Sequence, residues 1–396
     1  MSSNTLLSPT IISREMLMLL TNNLVMANRV NRQFEDQMGA KIGTTLTIRK
    51  PVRYTVSEGS ALQIQDISEP STNITITNQS HVGFQFSTSA LTLTVEEFRA
   101  RYLDTAMEQL ASRLDVGIMT NISSVYNEVG TPGSTPNTFS SLAAVAQRLD
   151  EEAAPQNERT LVLNPKAYWS MCTALQNVYV SSVNEGATKG FLANVANFEI
   201  YMDQNIPTQQ TGTYSGTPTV TGAGQTGSTL VTGGWTASLS GMLNVGDVFT
   251  IAGVNAVNPQ SKVATGSLRN FVVTATASSN ASGASSISIY PAITTTGAYA
   301  TVDAAPAAGA AITVISGASG ANLNKNIGFT RDAFGFVTVP LVMPDGVDFK
   351  AQEQYKGVSL RVIRAYDINN DVFPTRCDIM WGTNTFYPEL ACRLTN

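Results

Sequence analysis

The sequence predicts an α+β fold interrupted by an all-β module, and three observations carry that prediction. First, α-type and β-type hydrophobic periodicities alternate from the N-terminus to about residue 207. Second, charge nearly vanishes from 208 to 325, where Asp247, Lys262, Arg269, Asp303 and Lys325 are the only charged residues and Thr, Ser, Gly and Ala dominate. Third, the earlier pattern returns at 326 with NIGFTRDAFGFVTVPL. A break followed by a return is how an inserted domain reads. At 396 residues, 43% hydrophobic, the chain can fill two or three cores.

Residues 1–40 form an N-terminal arm with one amphipathic helix, SREMLMLLTNNLVMANRV, for which Ser13 is the expected N-cap. Residues 41–93 read as an extended β-hairpin. KIGTTLTIRKPVRYTV and NITITNQSHVGFQFSTSALTLTV alternate apolar or β-branched with polar positions around a polar tip, SEGSALQIQDISEPS. Residues 94–139 hold the clearest helix. Thr94 and Glu97 form a capping box, and Leu103, Met107, Leu110, Leu114 and Ile118 recur on one face. A helix over 94–128 would be a rod of about 50 Å at ~1.5 Å per residue.

In 140–207, SSLAAVAQRLDEEAA and KAYWSMCTALQ are helices around a buried strand, RTLVLNP, and FLANVANFEIYMDQNIP ends in another strand. The module at 208–325 carries short strands at DVFTIAGV, NFVVTATA, SISIYPAI and AAITVISG, suited to a small barrel or sandwich. Residues 326–374 resume the first domain, and 375–396 supply closing strands.

Only 13% of residues are charged, with a net charge of −5. A chain so poor in charge, with a projecting hairpin and a long helix, suits burial against copies of itself. It offers no basic footprint for sequence-specific nucleic-acid binding and no polybasic stretch for an anionic membrane. MLMLL at 16–20 is too short for a signal-peptide core, and no run reaches 18 apolar residues. Cys172, Cys377 and Cys392 form no C-x-x-C pair, so neither a zinc site nor a disulfide framework is expected.

Motifs for chemistry dissolve in their context. GAGQTGST at 222–229 begins with the dinucleotide fingerprint G-x-G-x-x-G and fits the phosphate loop G-x-x-x-x-G-K-[ST] except that Ser228 stands where the lysine belongs. No helix can follow it in TLVTGGWTASLSG, and the helix N-terminus is what holds a phosphate. It reads as a glycine-rich linker into the β module. His81 is the single histidine, which disfavours a catalytic triad or a histidine metal site, and Cys172 reads as core. The pairs Glu96–Glu97, Glu151–Glu152 and Asp345–Asp348 fall at a helix start, on a helix surface and in a turn, where dipole or solvation accounts for them. No catalytic, cofactor or metal residue is expected.

Several stretches, in this order, resemble the major capsid proteins of tailed bacteriophages with the Hong Kong 97-type fold. LVLNPKAYWSM and FLANVANFEIYMDQNIP are similar to strand–turn–helix and strand–turn pieces of that family's axial domain. IGFTRDAFGFVTVPL is similar to its re-entry, and GVSLRVIRAYDINNDVFPTRCDIMWGTNTFYPELACRL to its closing strands. SGMLNVGDVFTIAGVNAVNPQSK resembles the start of the β-barrel insertion domain in coat proteins of the short-tailed Salmonella phage type.

The resemblance implies a structural protein with an N-arm, a hairpin loop, a peripheral spine helix and an axial domain. Its pentamers and hexamers would close an icosahedral shell around packaged DNA, held only non-specifically. It implies assembly in the bacterial host cytoplasm and residence in the virion. A scaffolding protein, a portal protein at one vertex and a possible decoration protein are the implied partners. Lys50 has no supporting motif for the covalent crosslink some members make, so non-covalent contacts are expected.

The expected inter-subunit residues are Arg49, Lys50 and Arg53 on one limb of the hairpin, and Glu58, Asp66 and Glu69 towards its tip. Mixed charge on a projecting arm would set register between neighbours. A compartment shell of the encapsulin kind, a tail-tube protein and a surface-layer protein remain alternatives. Closed particles, tubes or flat lattices under the electron microscope separate them.

Overall fold

The computed structural model describes residues 9–34, 45–60, 62–87, 104–175, 194–347, 349–355, 358–370 and 372–396. In chain order the strands are β1 (Thr45–Arg49), β2 (Ser71–Ser87), β3 (Glu128–Val129), β4 (Arg159–Leu163), β5 (Asn194–Val195), β6 (Phe198–Met202) and β7 (Thr208–Gln210). There follow β8 (Gly216–Val220), β9 (Gly227–Trp235), β10 (Val248–Val257), β11 (Ala264–Val273), β12 (Ser285–Ile293), β13 (Ile312–Val314) and β14 (Asn322–Thr330). The chain ends with β15 (Phe334–Val339), β16 (Phe349–Tyr355), β17 (Val358–Arg364), β18 (Val372–Thr385) and β19 (Ala391–Thr395). Four α-helices lie among the described residues: an N-terminal helix Pro9–Asn23, a spine helix Asp104–Met119, and helices Phe139–Glu151 and Pro165–Leu175. Two compact units divide the chain. The first is Met1–Ile48, Ser71–Met119 and Phe334–Asn384, and the second is Arg49–Pro70, Thr120–Ala333 and Thr385–Asn396.

In the first unit a sheet runs β1-β2-β18-β17-β16, with β15 also on β18. The N-terminal helix packs on the spine helix and on β16 and β17. It starts earlier than Ser13, which lies buried inside it, because Pro9 suits a first helical turn. It stops at Asn23, and Asn28 Nδ2 donates to the carbonyls of Thr21 and Leu24 at 2.9 and 2.7 Å, satisfying groups the helix leaves open. Asp115 on the spine helix then fixes the exit, accepting from the amides of Val25 and Ala27 at 2.8 and 3.0 Å.

The spine helix ends at Met119 rather than near 128. Thr120–Ser124 is a 3₁₀ turn in which Ser123 and Ser124 hydroxyls donate to the carbonyls of Thr120 and Asn121. Such local side-chain bonds compete with helix propagation. Its expected capping box at Thr94 and Glu97 lies outside the described residues. Met107, Leu110, Leu114 and Ile118 form its buried face, at the expected spacing.

The second unit has a mixed sheet, β3-β19-β14-β4-β6-β5, with β7 on β14. β4 is buried at every position and runs parallel to β6 and antiparallel to β14. Leu142, Val145 and Leu149 from one helix, and Ala167, Tyr168 and Met171 from the other, close its core. Asn164, which ends β4, accepts from the Ala167 amide at 2.8 Å and so caps the second of these helices.

The charge-poor stretch is a six-stranded barrel in the order β13-β10-β11-β12-β9-β8. It closes because Val220 of β8 bonds to Ala310 and Gly309 beside β13, with an isolated bridge from Thr219 to Ala311. Closure removes the sheet edges that an open β module would expose. Inside lie Leu230, Trp235, Phe249, Ile251, Phe271, Val273, Ile287 and Ile289. β8 and β9 were not legible as strands, since GTPTV and GSTLVTGGW carry little apolar alternation.

GAGQTGST connects these two strands, so it is the turn of the barrel's first hairpin and not a linker into it. Gly222, Gly224 and Gly227 take φ of +85°, +74° and +91°. Gln225 stitches the turn, its Nε2 donating to the carbonyls of Thr221 and Val231 while its Oε1 accepts from the Val231 amide.

Candidate inter-subunit surface

Among the described residues of the arm between β1 and β2, 50–60 and 62–70, none lies in a strand. One backbone bond at the root and several side chains hold its two limbs together instead. At the root the Lys50 amide donates to the Pro70 carbonyl at 2.8 Å. Further out, Tyr299 of the barrel accepts from the Arg53 amide at 3.3 Å and donates to the Ser68 carbonyl at 2.9 Å. Gln65 then spans the limbs, its Oε1 accepting from the Thr55 amide at 3.0 Å and its Nε2 donating to the Thr55 carbonyl at 2.5 Å.

The six expected contact residues separate into two groups. Arg49 pairs with Glu69 at 3.0 Å across the root. Arg53 pairs with Glu389 at 3.1 Å. Lys50 lies 5.0 Å from the centre of the Tyr387 ring, and burial lowers its pKa against the pull of Glu389. Those four residues are therefore engaged within their own chain. Glu58 and Asp66 stand exposed near the tip.

What the tip chiefly displays is apolar. Tyr54, Val56, Leu62, Ile64 and Ile67 are between 62 and 95% exposed. SEGSALQIQDISEPS, expected as a polar tip, thus presents Leu62, Ile64 and Ile67 to solvent, because a count of polar residues does not show which side chains face outward.

A second feature went unseen in the sequence: a seam of buried charge where barrel residues meet the core sheet. Lys325 donates to Glu128 and to the Ser316 carbonyl, and Arg393 Nη2 lies 3.2 Å from the other Glu128 oxygen. Arg393 Nη1 donates to the carbonyl of Gly246 at 2.8 Å and to Gln209 at 2.9 Å. Arg269 of β11 pairs with Glu152 and lies over the Tyr126 ring at 4.6 Å, while Tyr126 donates to Glu152.

Glu151–Glu152 is thus no solvated pair. Glu152 is buried on Arg269, and Glu151 accepts from Arg148 at 3.0 Å and from Ser267 at 3.3 Å. Burial works to raise the Glu128 pKa, but Arg393 and Lys325 outweigh it and hold the carboxyl below its ordinary range. Asp247 is pushed the other way by burial, although the amides of Gly212 and Asn244 donate to it. One signal could have found this seam. In a stretch almost free of charge, Asp247, Arg269 and Lys325 are each at most 3% exposed. A charge retained where the composition avoids charge is one with a partner.

No cluster of metal-ligating side chains occurs among the described residues. Cys377 and Cys392 are buried, and burial pushes both thiols up to about 12, out of the nucleophilic range. His81 is exposed on β2, in register with Asp378. Among the described residues no helix is long and apolar enough to cross a membrane.

A hairpin arm, a spine helix against a five-strand path, a mixed sheet and an inserted barrel together define a protein of the Hong Kong 97-type capsid class. The chain is similar in fold to a structure from Mycobacterium phage Che8, at 12% identity and a TM-score of 0.50 over 93% of this chain and 90% of that one. It is also similar to the virus-like particle from Pyrococcus furiosus, at 10% identity and a TM-score of 0.42 over 96% of each chain. The CUS-3 coat protein I-domain is 32% identical over 25% of this chain and 96% of its own, with a TM-score of 0.19. No curated protein matches. The model of the P22 coat protein (gene protein 5) family matches residues 1–394, and the chain belongs to that family. It is a structural protein, the major coat protein of a tailed phage, which assembles with copies of itself into an icosahedral virion capsid.

Proposed function

We propose that the tip of the arm is the surface by which one copy grips the next in the shell. The exposed strip Tyr54, Val56, Leu62, Ile64 and Ile67 carries this proposal. Full burial of such a side chain is worth about 1.5–3 kcal/mol, so an unassembled subunit forgoes several kcal/mol at its tip. Limbs without a ladder of their own, rich in alternating apolar residues, suit strand addition to a neighbour's sheet edge. Glu58 and Asp66 beside the strip add register through charge, while Arg49, Lys50, Arg53 and Glu69 brace the root.

The same protein would meet a scaffolding protein during assembly in the host cytoplasm, a portal protein at one vertex and, in some shells, a decoration protein. A net charge of −5 gives no electrostatic drive toward packaged DNA, so contact with it would be non-specific.

The double substitution Leu62→Asp/Ile64→Asp tests the strip. Subunits should keep the wild-type thermal transition yet give no closed shells by electron microscopy. Shells at the wild-type yield would overturn the proposal. For the acidic pair, Glu58→Lys/Asp66→Lys should lower the yield of regular shells, and normal particles would remove its role in register.

A further inference from the structure

Between Lys50 and Pro70 no ladder joins the limbs, and the place of one rung is taken by a side chain from the barrel. Tyr299 inserts its hydroxyl between them, accepting from Arg53 N–H and donating to Ser68 C=O. One hydroxyl thus completes both backbone groups on opposite limbs, which is what a cross-strand bond does in a regular hairpin. Two contacts on the same limb reinforce it: the Arg53–Glu389 pair at 3.1 Å and Lys50 over the Tyr387 ring. Glu389 lies in the 3₁₀ turn Pro388–Leu390, directly before β19 of the core sheet. Tyr299 from the barrel module, and Tyr387 and Glu389 from the turn before β19, thus all hold the arm root.

We propose that Tyr299 is a positioning residue for shell assembly, a strap by which the inserted barrel aims the apolar tip at the neighbouring copy. The proposal rests on the arm being the gripping surface. A flexible hairpin of this length would lose its conformational freedom on docking, at about 1–2 kcal/mol per residue fixed. An arm already held at its root has given up part of that freedom before it meets a neighbour. The barrel thereby contributes to assembly by holding the arm. The tyrosine is also the right residue for this task, since its ring reaches from the barrel while its hydroxyl both donates and accepts.

Tyr299→Phe removes the hydroxyl and leaves the ring. In the unassembled full-length subunit it should leave the thermal transition in place. It should speed hydrogen exchange at the Arg53 amide about tenfold or more, and exchange in the barrel strands should be unchanged. Shells expressed from this variant should form in several-fold lower yield. Glu389→Gln should act in the same direction, and the two together should act less than additively if they brace one root. Wild-type exchange at Arg53 together with wild-type shell yield in Tyr299→Phe would overturn the strap. If Leu62→Asp/Ile64→Asp abolishes shells while Tyr299→Phe behaves as wild type, the strap alone fails. If that double variant assembles normally, the gripping surface fails with it.

Discussion

Single residues decide more here than their number suggests, and Glu128 is the clearest case. Its carboxylate faces Lys325 and Arg393, both at most 1% exposed, and accepts from Thr395 as well. Removing one member of a buried ionic group leaves the others charged without a partner, which typically costs about 3–5 kcal/mol. Glu128→Gln should therefore lower the urea midpoint without a change in slope. The pH dependence has a definite sign. The folded-state pKa is held below the ordinary value, so the carboxylate's contribution is fully present above the ordinary carboxylate range. It is lost as pH falls through that range towards the folded-state value. The difference in stability between wild type and Glu128→Gln should shrink accordingly on acidification. A difference constant from neutral pH down to pH 3 would refute this account of the network. Glu128 was not legible, because two residues, Glu128–Val129, are too short a strand to show a pattern.

At the scale of the element, packing overrides propensity. Gly117 lies inside the spine helix, where glycine costs about 1 kcal/mol relative to alanine. Propensity alone would favour Gly117→Ala. Yet a Cβ there would come within 2.1 Å of the Trp381 ring, which is 2% exposed and held by a 3.0 Å bond from its Nε1 to Ser80. Overpacking of this kind costs about 1–3 kcal/mol. The net expectation is destabilisation, together with a shift in tryptophan emission; a stabilised variant would show that the ring can move aside. The same contest explains the helix boundaries. The heptad-like spacing of Met107, Leu110, Leu114 and Ile118 was readable, but the stop at Met119 came from serine side chains bonding locally.

For the whole second unit, the Arg269–Glu152–Tyr126 group couples the barrel to the end of the helix Phe139–Glu151. Glu152→Leu should destabilise by several kcal/mol, since Arg269 stays buried and charged. Glu152→Leu/Arg269→Met should recover most of the loss, because a well-packed apolar pair often equals a buried ionic one. Equal losses in the single and double variants, measured by denaturation, would mean that the pair acts through packing and not through charge.

Sequence alone determined the plan of this protein: an α+β body, a projecting hairpin, a spine helix and a charge-poor β insertion. These are local or compositional properties. Periodicity marks which side of a helix or strand is apolar, and absence of charge marks the module. Tertiary structure decided everything that depends on which surfaces meet. It closed the barrel through β8 against β13, turned GAGQTGST into a hairpin, buried Glu152 on Arg269 and brought Tyr299 to an arm more than two hundred residues away in sequence. It also left the apolar residues of the arm tip in water, whereas the alternating apolar positions of β12 face the barrel core. Long-range pairs of this kind leave no periodic trace, because their energy comes from burial and partner geometry that exist only once the chain has folded.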